Sequence, residues 1–123
     1  MRVFRIQVGS GEPATWARQV EGGWEALRRE GLSFLPTGRR VVGEPRILPP
    51  VDPRVVFCCG VNYGAHAREF GSTQQAWPTI FLKSPAAVIG HGETIRLPRH
   101  LRSDKVDFEA ELAVVVGEDI CNA

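Results

Sequence analysis

Residues 47–53 read Ile-Leu-Pro-Pro-Val-Asp-Pro, and this run limits the fold more than any other feature of the chain. Pro49, Pro50 and Pro53 supply no backbone donor, and each restrains the residue before it, so neither a helix nor a central strand can pass through. The chain is extended here. We place a boundary at this point, between a small N-terminal subdomain at residues 1–52 and a second part at residues 53–123.

The first part reads as β-rich. Val3, Ile6 and Val8 alternate with arginines before Gly9-Ser10-Gly11, the pattern of a strand closed by a turn. Residues 15–20 and 24–27 flank Glu21-Gly22-Gly23, whose glycines can take the positive φ of a tight hairpin. Residues 24–29 could instead begin a helix. From Pro36 the sequence becomes rich in Pro, Gly and Arg.

In the second part, residues 54–59 form a short apolar run stopped by Gly60, the pattern of a buried strand entering a loop. One or two helical turns are expected over residues 62–69, followed by a polar loop from Ser72 to Trp77. Strands are expected at residues 79–83 and 94–97, with a connection at residues 85–89 and a turn at residues 90–93. Residues 106–116 are the longest strand signal. Cys58, Cys59 and Cys121 lack metal-ligand spacing and read as small apolar core residues of a reducing compartment.

A hydrophobic content of 43% is enough for a globular core, and 15 Lys+Arg against 14 Asp+Glu gives no electrostatic reason to expect nucleic acid or an anionic membrane as partner. The opening Met1-Arg2-Val3-Phe4-Arg5-Ile6 lacks the apolar core of a secretory leader, and no run approaches the roughly 20 apolar residues of a membrane span. A cytoplasmic protein acting on small molecules is the expectation.

Side chains alternate along a strand, so Asp107, Glu109 and Glu111 share one face while Phe108, Ala110, Leu112 and Val114 share the other. Neighbouring carboxylates repel, and a bound cation lets them stay ionised together. Oxygen ligands alone favour Mg²⁺, Mn²⁺ or Ca²⁺ over zinc. A solvated acidic face is the other reading this pattern allows. In the loop Gly60-Val-Asn-Tyr-Gly-Ala-His-Ala-Arg-Glu-Phe-Gly71, His66 and Glu69 stand three apart and become neighbours if the segment is helical. A carboxylate beside an imidazole orients the ring for proton transfer, whereas an exposed turn with a weak pair is the alternative. Lys83, at the end of its strand, could reach a substrate carboxylate or carbonyl oxygen, or simply extend into solvent.

Taken in order, residues 60–71, Pro78-Thr-Ile-Phe-Leu-Lys-Ser-Pro85 and Val106-Asp-Phe-Glu-Ala-Glu-Leu-Ala-Val-Val-Val-Gly117 resemble the fumarylacetoacetate hydrolase family. The resemblance covers about residue 49 to the end, and the first fifty residues resemble the small domain that often precedes the catalytic one. It implies an α/β, β-rich fold with a rolled mixed sheet, of which this chain holds the start. It further implies that Glu109 and Glu111 bind Mg²⁺ or Mn²⁺ with Asp107 flanking, that His66 and Glu69 activate water, and that Lys83 lies near the site. The implied chemistry is hydrolysis, isomerisation or decarboxylation of 2-oxo acids or 1,3-dicarbonyl compounds through a metal-chelated enolate, usually in a homodimer.

The family's third carboxylate and a later catalytic lysine have no counterpart in this sequence. An N-terminal fragment or split gene product, inactive alone and completed by a C-terminal chain, is therefore expected. Two alternatives stand beside it: a non-catalytic remnant acting as a binding or assembly module, and a small domain holding Ca²⁺ structurally.

Overall fold

In the computed structural model, the described residues are 1–71, 73, 76–98, 100, 103, 105–119 and 121. The chain divides into two compact units, Met1–Val51 with Gly90–Ala123, and Asp52–Ile89. Both sheets are antiparallel, and helix is scarce, so the β-rich reading holds.

The first unit is built on five strands: β1 (Phe4–Gln7), β2 (Thr15–Val20), β3 (Gly23–Glu30), β4 (Ser33–Val41) and β5 (Arg46–Ile47), in the order β4-β3-β2-β1-β5. The expected hairpin forms, with Val20 opposite Gly23, and the helical alternative over residues 24–29 is not adopted. Ile6, Ala17 and Ala26 share one face and are fully or almost fully buried, with Phe4 and Trp24 packed edge to face beside them at 5.1 Å. Burying a side chain such as Ile6 contributes about 1.5–3 kcal/mol. On the opposite face Trp16 meets Phe34 at 4.8 Å, and the Arg29 guanidinium lies about 6 Å from both rings.

Strand β4 was not anticipated, because Pro36 and Gly38 argue against a strand. It tolerates both by being an edge strand with a bulge. Glu25 pairs with Arg40 but Leu27 pairs with Pro36, so Ala26 alone stands against Thr37, Gly38 and Arg39. Gly38 takes φ 73, a conformation that costs a residue with a Cβ. The displaced polar groups find side-chain partners. Gly38 N–H donates to Glu25 Oε1 at 2.8 Å, Thr37 Oγ1 donates to the Ala26 carbonyl at 2.6 Å, and Arg39 N–H donates to Thr37 Oγ1 at 3.2 Å.

Glu25 is buried, and its other oxygen receives Arg18 Nε at 2.8 Å and Nη2 at 2.7 Å from the residue directly opposite on β2. The Arg18 hydrogen bond, followed by the Gly38 N–H, holds this carboxyl below the ordinary glutamate value of 4.5 despite the opposing cost of burial. A carboxylate lowered on folding contributes stability that is fully present above its unfolded value and is lost as pH falls through its folded one. The melting temperature, followed by circular dichroism, is therefore expected to hold at neutral pH and fall below pH 4.5. Glu25→Gln should flatten that part of the profile while lowering stability at pH 7. A Glu25→Gln profile parallel to that of the wild type through the acid range would contradict this assignment.

The expected turn at residues 90–93 is present, with Glu93 N–H donating to the Gly90 carbonyl at 3.2 Å. It packs on β5 so closely that a Cβ at Gly90 would stand 2.6 Å from the Ile47 carbonyl oxygen, and Glu93 pairs with Arg46 at 3.3 Å. Beyond it the expectations fail. Neither residues 94–97 nor residues 106–116 join a sheet among the described residues. Alternation makes a strand only where neighbouring strands complete the ladder and cover the apolar face, and Phe108, Leu112 and Val114 are all more than 80% exposed.

The second unit pairs β6 (Val56–Gly60) with β7 (Thr79–Lys83), from Val56 opposite Lys83 to Gly60 opposite Thr79. Helix α1 (Gly64–Glu69) lies between them in sequence, and a single 3-10 turn follows at Pro85–Ala87, capped by Ser84 Oγ accepting from Ala86 N–H at 3.2 Å. The strand β6 is not buried: Phe57 is 67% exposed, because a two-stranded sheet leaves its faces partly open. For the same reason the cysteines are not core residues, Cys58 being half-buried and Cys59 exposed, and Cys121 is exposed as well. Of the polar loop expected from Ser72 to Trp77, Ser72, Gln74 and Gln75 lie outside the described residues. Among the described residues, no helix is long and apolar enough to cross a membrane.

Candidate active site

The loop leaving β6 begins with Val61 at φ 53, the one non-glycine residue with positive φ among those described. A β-branched residue in that region stores strain of about 1–3 kcal/mol, which persists only where both flanks are held. Gly60 is paired with Thr79 on one side, and the Tyr63 carbonyl accepts from Ala67 N–H at 3.0 Å on the other. Helix α1 follows at once.

Six residues without a side-chain N-cap have little helical stability of their own. Ala67, 1% exposed, anchors the inner face of α1. Gly71, at φ 64, closes the C-terminal end by donating to the Arg68 carbonyl at 3.1 Å. His66 and Glu69 project outward, with Nδ1 of His66 3.8 Å from Glu69 Oε2 and the imidazole 43% exposed. The helical spacing thus brings these two together at ion-pair distance. One further neighbour was not expected: the Phe70 ring stands 4.8 Å from the His66 ring with planes 64° apart. The signal was present in the i, i+4 spacing, which puts both residues on one helical face.

Lys83 pairs with Val56 at the end of the ladder opposite Gly60. Four strand steps separate it from Thr79, about 13 Å at the usual rise. Its ammonium lies 5.8 Å from the centre of the Phe81 ring.

Glu109 and Glu111 belong to the first unit and are exposed. Asp107 is turned to its own backbone, its Oδ1 accepting from Phe108 N–H at 2.8 Å. Two carboxylates two residues apart are hard oxygen donors of the kind that suits Mg²⁺ or Mn²⁺, which keep several water ligands beside one or two carboxylates. Among the described residues no three His, Cys, Asp or Glu side chains converge on a metal position. The donor chemistry of Glu109 and Glu111 is of a kind that could hold a hard cation.

Residues 55–123 match the fumarylacetoacetate (FAA) hydrolase C-terminal family, a range that includes His66, Glu69, Lys83, Glu109 and Glu111. The chain belongs to the fumarylacetoacetate hydrolase family. It is 39% identical over 101 residues to the mitochondrial oxaloacetate tautomerase FAHD2A of Bos taurus, covering 81% of this chain and 31% of that protein. It is also 39% identical over 71 residues to the oxaloacetate tautomerase YisK of Bacillus subtilis, covering 56% of this chain and 23% of that protein. An uncharacterized protein of Archaeoglobus fulgidus is 44% identical over 77 residues, covering 63% of this chain and 30% of its own length. The chain thus spans about a third or less of the length of these relatives. No solved structure matches it.

Proposed function

We propose that the chain supplies the proton-transfer dyad and two metal ligands of an enzyme acting on 2-oxo acids, with the keto–enol interconversion of oxaloacetate as the leading reaction. The observation that carries this reading is the His66–Glu69 pair at 3.8 Å on a short outward-facing helix, inside the family-matched range of a chain 39% identical to two oxaloacetate tautomerases. Hydrolysis of acylpyruvates or other 1,3-dicarbonyls, and decarboxylation, are neighbouring outcomes of the same site.

In this reading Glu109 and Glu111 would hold a divalent cation, whose chemistry would be polarisation of a 2-oxo group. His66 takes a proton from the substrate's enol hydroxyl and delivers it to the adjacent carbon, or in hydrolysis takes one from water and delivers it to the departing carbon, while the Glu69 carboxylate beside Nδ1 favours one orientation of the ring. Lys83 offers its ammonium to a substrate carboxylate. The family resemblance implies a third carboxylate and a further lysine in the active form, and on that ground residues 1–123 by themselves are proposed not to turn over. A rolled mixed sheet, a homodimer and a cytoplasmic location complete the proposal.

The test is the decay of the enol form of oxaloacetate, followed by its ultraviolet absorbance, in the active form with and without Mg²⁺ or Mn²⁺. Acceleration well above that given by the metal alone is expected. Decay no faster than with free metal, for oxaloacetate and for acylpyruvates alike, would remove the proposal in favour of a binding or assembly role.

A further inference from the structure

We propose that Phe81 is a positioning residue for Lys83, an inference that rests on the reading of Lys83 as the partner of a substrate carboxylate. Successive side chains of a strand point to opposite faces, so Phe81 and Lys83, two apart on β7, stand on the same one. The ladder sets what else is there: Val56 lies opposite Lys83, Cys58 opposite Phe81 and Gly60 opposite Thr79. On β6 this is the better-covered face, since Val56, Cys58 and Gly60 are half-buried whereas Phe57 and Cys59 on the other are exposed. Phe81 is likewise the least exposed of the large apolar residues on β7. The Lys83 ammonium lies over its ring, with Nζ 5.8 Å from the ring centre. That is inside the distance of about 6 Å at which the negative face of a phenyl ring attracts a cation.

A lysine ammonium is a point charge on a flexible stem, so a strand can fix where the side chain begins without fixing where its charge ends. Lys83 is the last residue of β7, and its backbone is held there opposite Val56. The Phe81 ring supplies a second point of restraint. Phe81 lies between Lys83 and Thr79 along the strand, so an ammonium held over its ring is drawn toward the end of the ladder where Gly60 opens into the loop carrying α1. The ring does this without neutralising the charge. A carboxylate of the protein in the same place would compete with the substrate's carboxylate, whereas a phenyl ring leaves N–H donors of the ammonium for it. The substrate carboxylate keeps its charge through proton transfer, so its contact with Lys83 is equally strong before and during the reaction. Loss of the ring should therefore weaken substrate binding and leave the chemical step unchanged.

Two measurements test this. The first uses the chain itself, whose sequence holds two lysines, Lys83 and Lys105. Reductive ¹³C-dimethylation keeps the charge of both, and Lys105→Arg assigns their signals. The Lys83 methyl protons are expected upfield of those of Lys105. Phe81→Leu is expected to remove that ring-current displacement, Phe81→Tyr to retain it and Phe81→Trp to enlarge it. The second is steady-state kinetics of the active form. Phe81→Leu is expected to raise KM for oxaloacetate about two- to fivefold, the equivalent of a cation–π contact at an exposed site, with kcat and Mn²⁺ affinity unchanged. Phe81→Tyr should restore KM. In a Lys83→Met background Phe81→Leu should raise KM no further, because a residue that acts through another loses its effect with it. A Lys83 signal that moves in neither Phe81→Leu nor Phe81→Trp, or an equal rise in KM with and without the ammonium, would overturn the proposal. Wild-type KM in Lys83→Met would instead defeat the reading of Lys83 as the carboxylate's partner, and the methyl shifts would still report whether the ring holds the ammonium.

Discussion

Replacing Glu109 and Glu111 together by glutamine is expected to abolish Mg²⁺ and Mn²⁺ binding by the active form, with affinity falling by more than about a hundredfold. Glutamine keeps the size of the side chain and an oxygen donor but removes both negative charges, and hard cations bind chiefly through charge. Changes to groups that merely support a metal ligand already cost about 10–100-fold, so loss of two charged ligands should exceed that range. Calorimetric titration with Mn²⁺ measures it directly. Asp107→Asn serves as the control, because Asp107 Oδ1 is engaged by the Phe108 N–H, and it should bind metal nearly as well as the wild type. Metal affinity preserved in the double variant would remove the assignment of the acidic segment.

His66→Ala is expected to produce the opposite profile. Loss of a positioned general acid or base lowers turnover by about 10²–10⁴-fold, while metal affinity should be spared because His66 is not placed among the metal ligands. Glu69→Gln should fall between that variant and the wild type, since it removes an orienting charge at 3.8 Å rather than the proton carrier. The comparison needs turnover and Mn²⁺ affinity on the same preparations. Parallel losses of both in His66→Ala would place the histidine at the metal and overturn its separate role.

Local chemistry made part of the fold legible. Gly22 and Gly23 marked the turn between β2 and β3, and the apolar run 79–83 marked β7, because each signal acts within a few residues. Strand β4 was hidden because its tolerance of Pro36 and Gly38 comes from elsewhere: an edge position, and a bulge whose polar groups are satisfied by Glu25 and Thr37. The alternation of residues 106–116 misled in the other direction, since a strand needs a ladder that alternation cannot supply. Cys58 and Cys59 were misread as core residues for a related reason, as burial depends on what covers the sheet.

The candidate site divides along the same line. The i, i+3 spacing of His66 and Glu69 was readable, and α1 brings the pair to 3.8 Å. The carboxylates of Glu109 and Glu111 were readable as a pair of hard donors, but convergence of further ligands is a property of tertiary structure.

One titration bears on metal, substrate class and ligands at once: Mn²⁺ binding to the active form followed by electron paramagnetic resonance, with and without oxalate as an unreactive mimic of a 2-oxo acid. If oxalate binds at a metal held by Glu109 and Glu111, each ligand must tighten the other by the same factor. Tighter Mn²⁺ binding in the presence of oxalate, an altered Mn²⁺ spectrum, and loss of both effects in the Glu109→Gln/Glu111→Gln variant are expected. Mn²⁺ binding indifferent to oxalate, or unchanged in that variant, would contradict a metal site at Glu109 and Glu111.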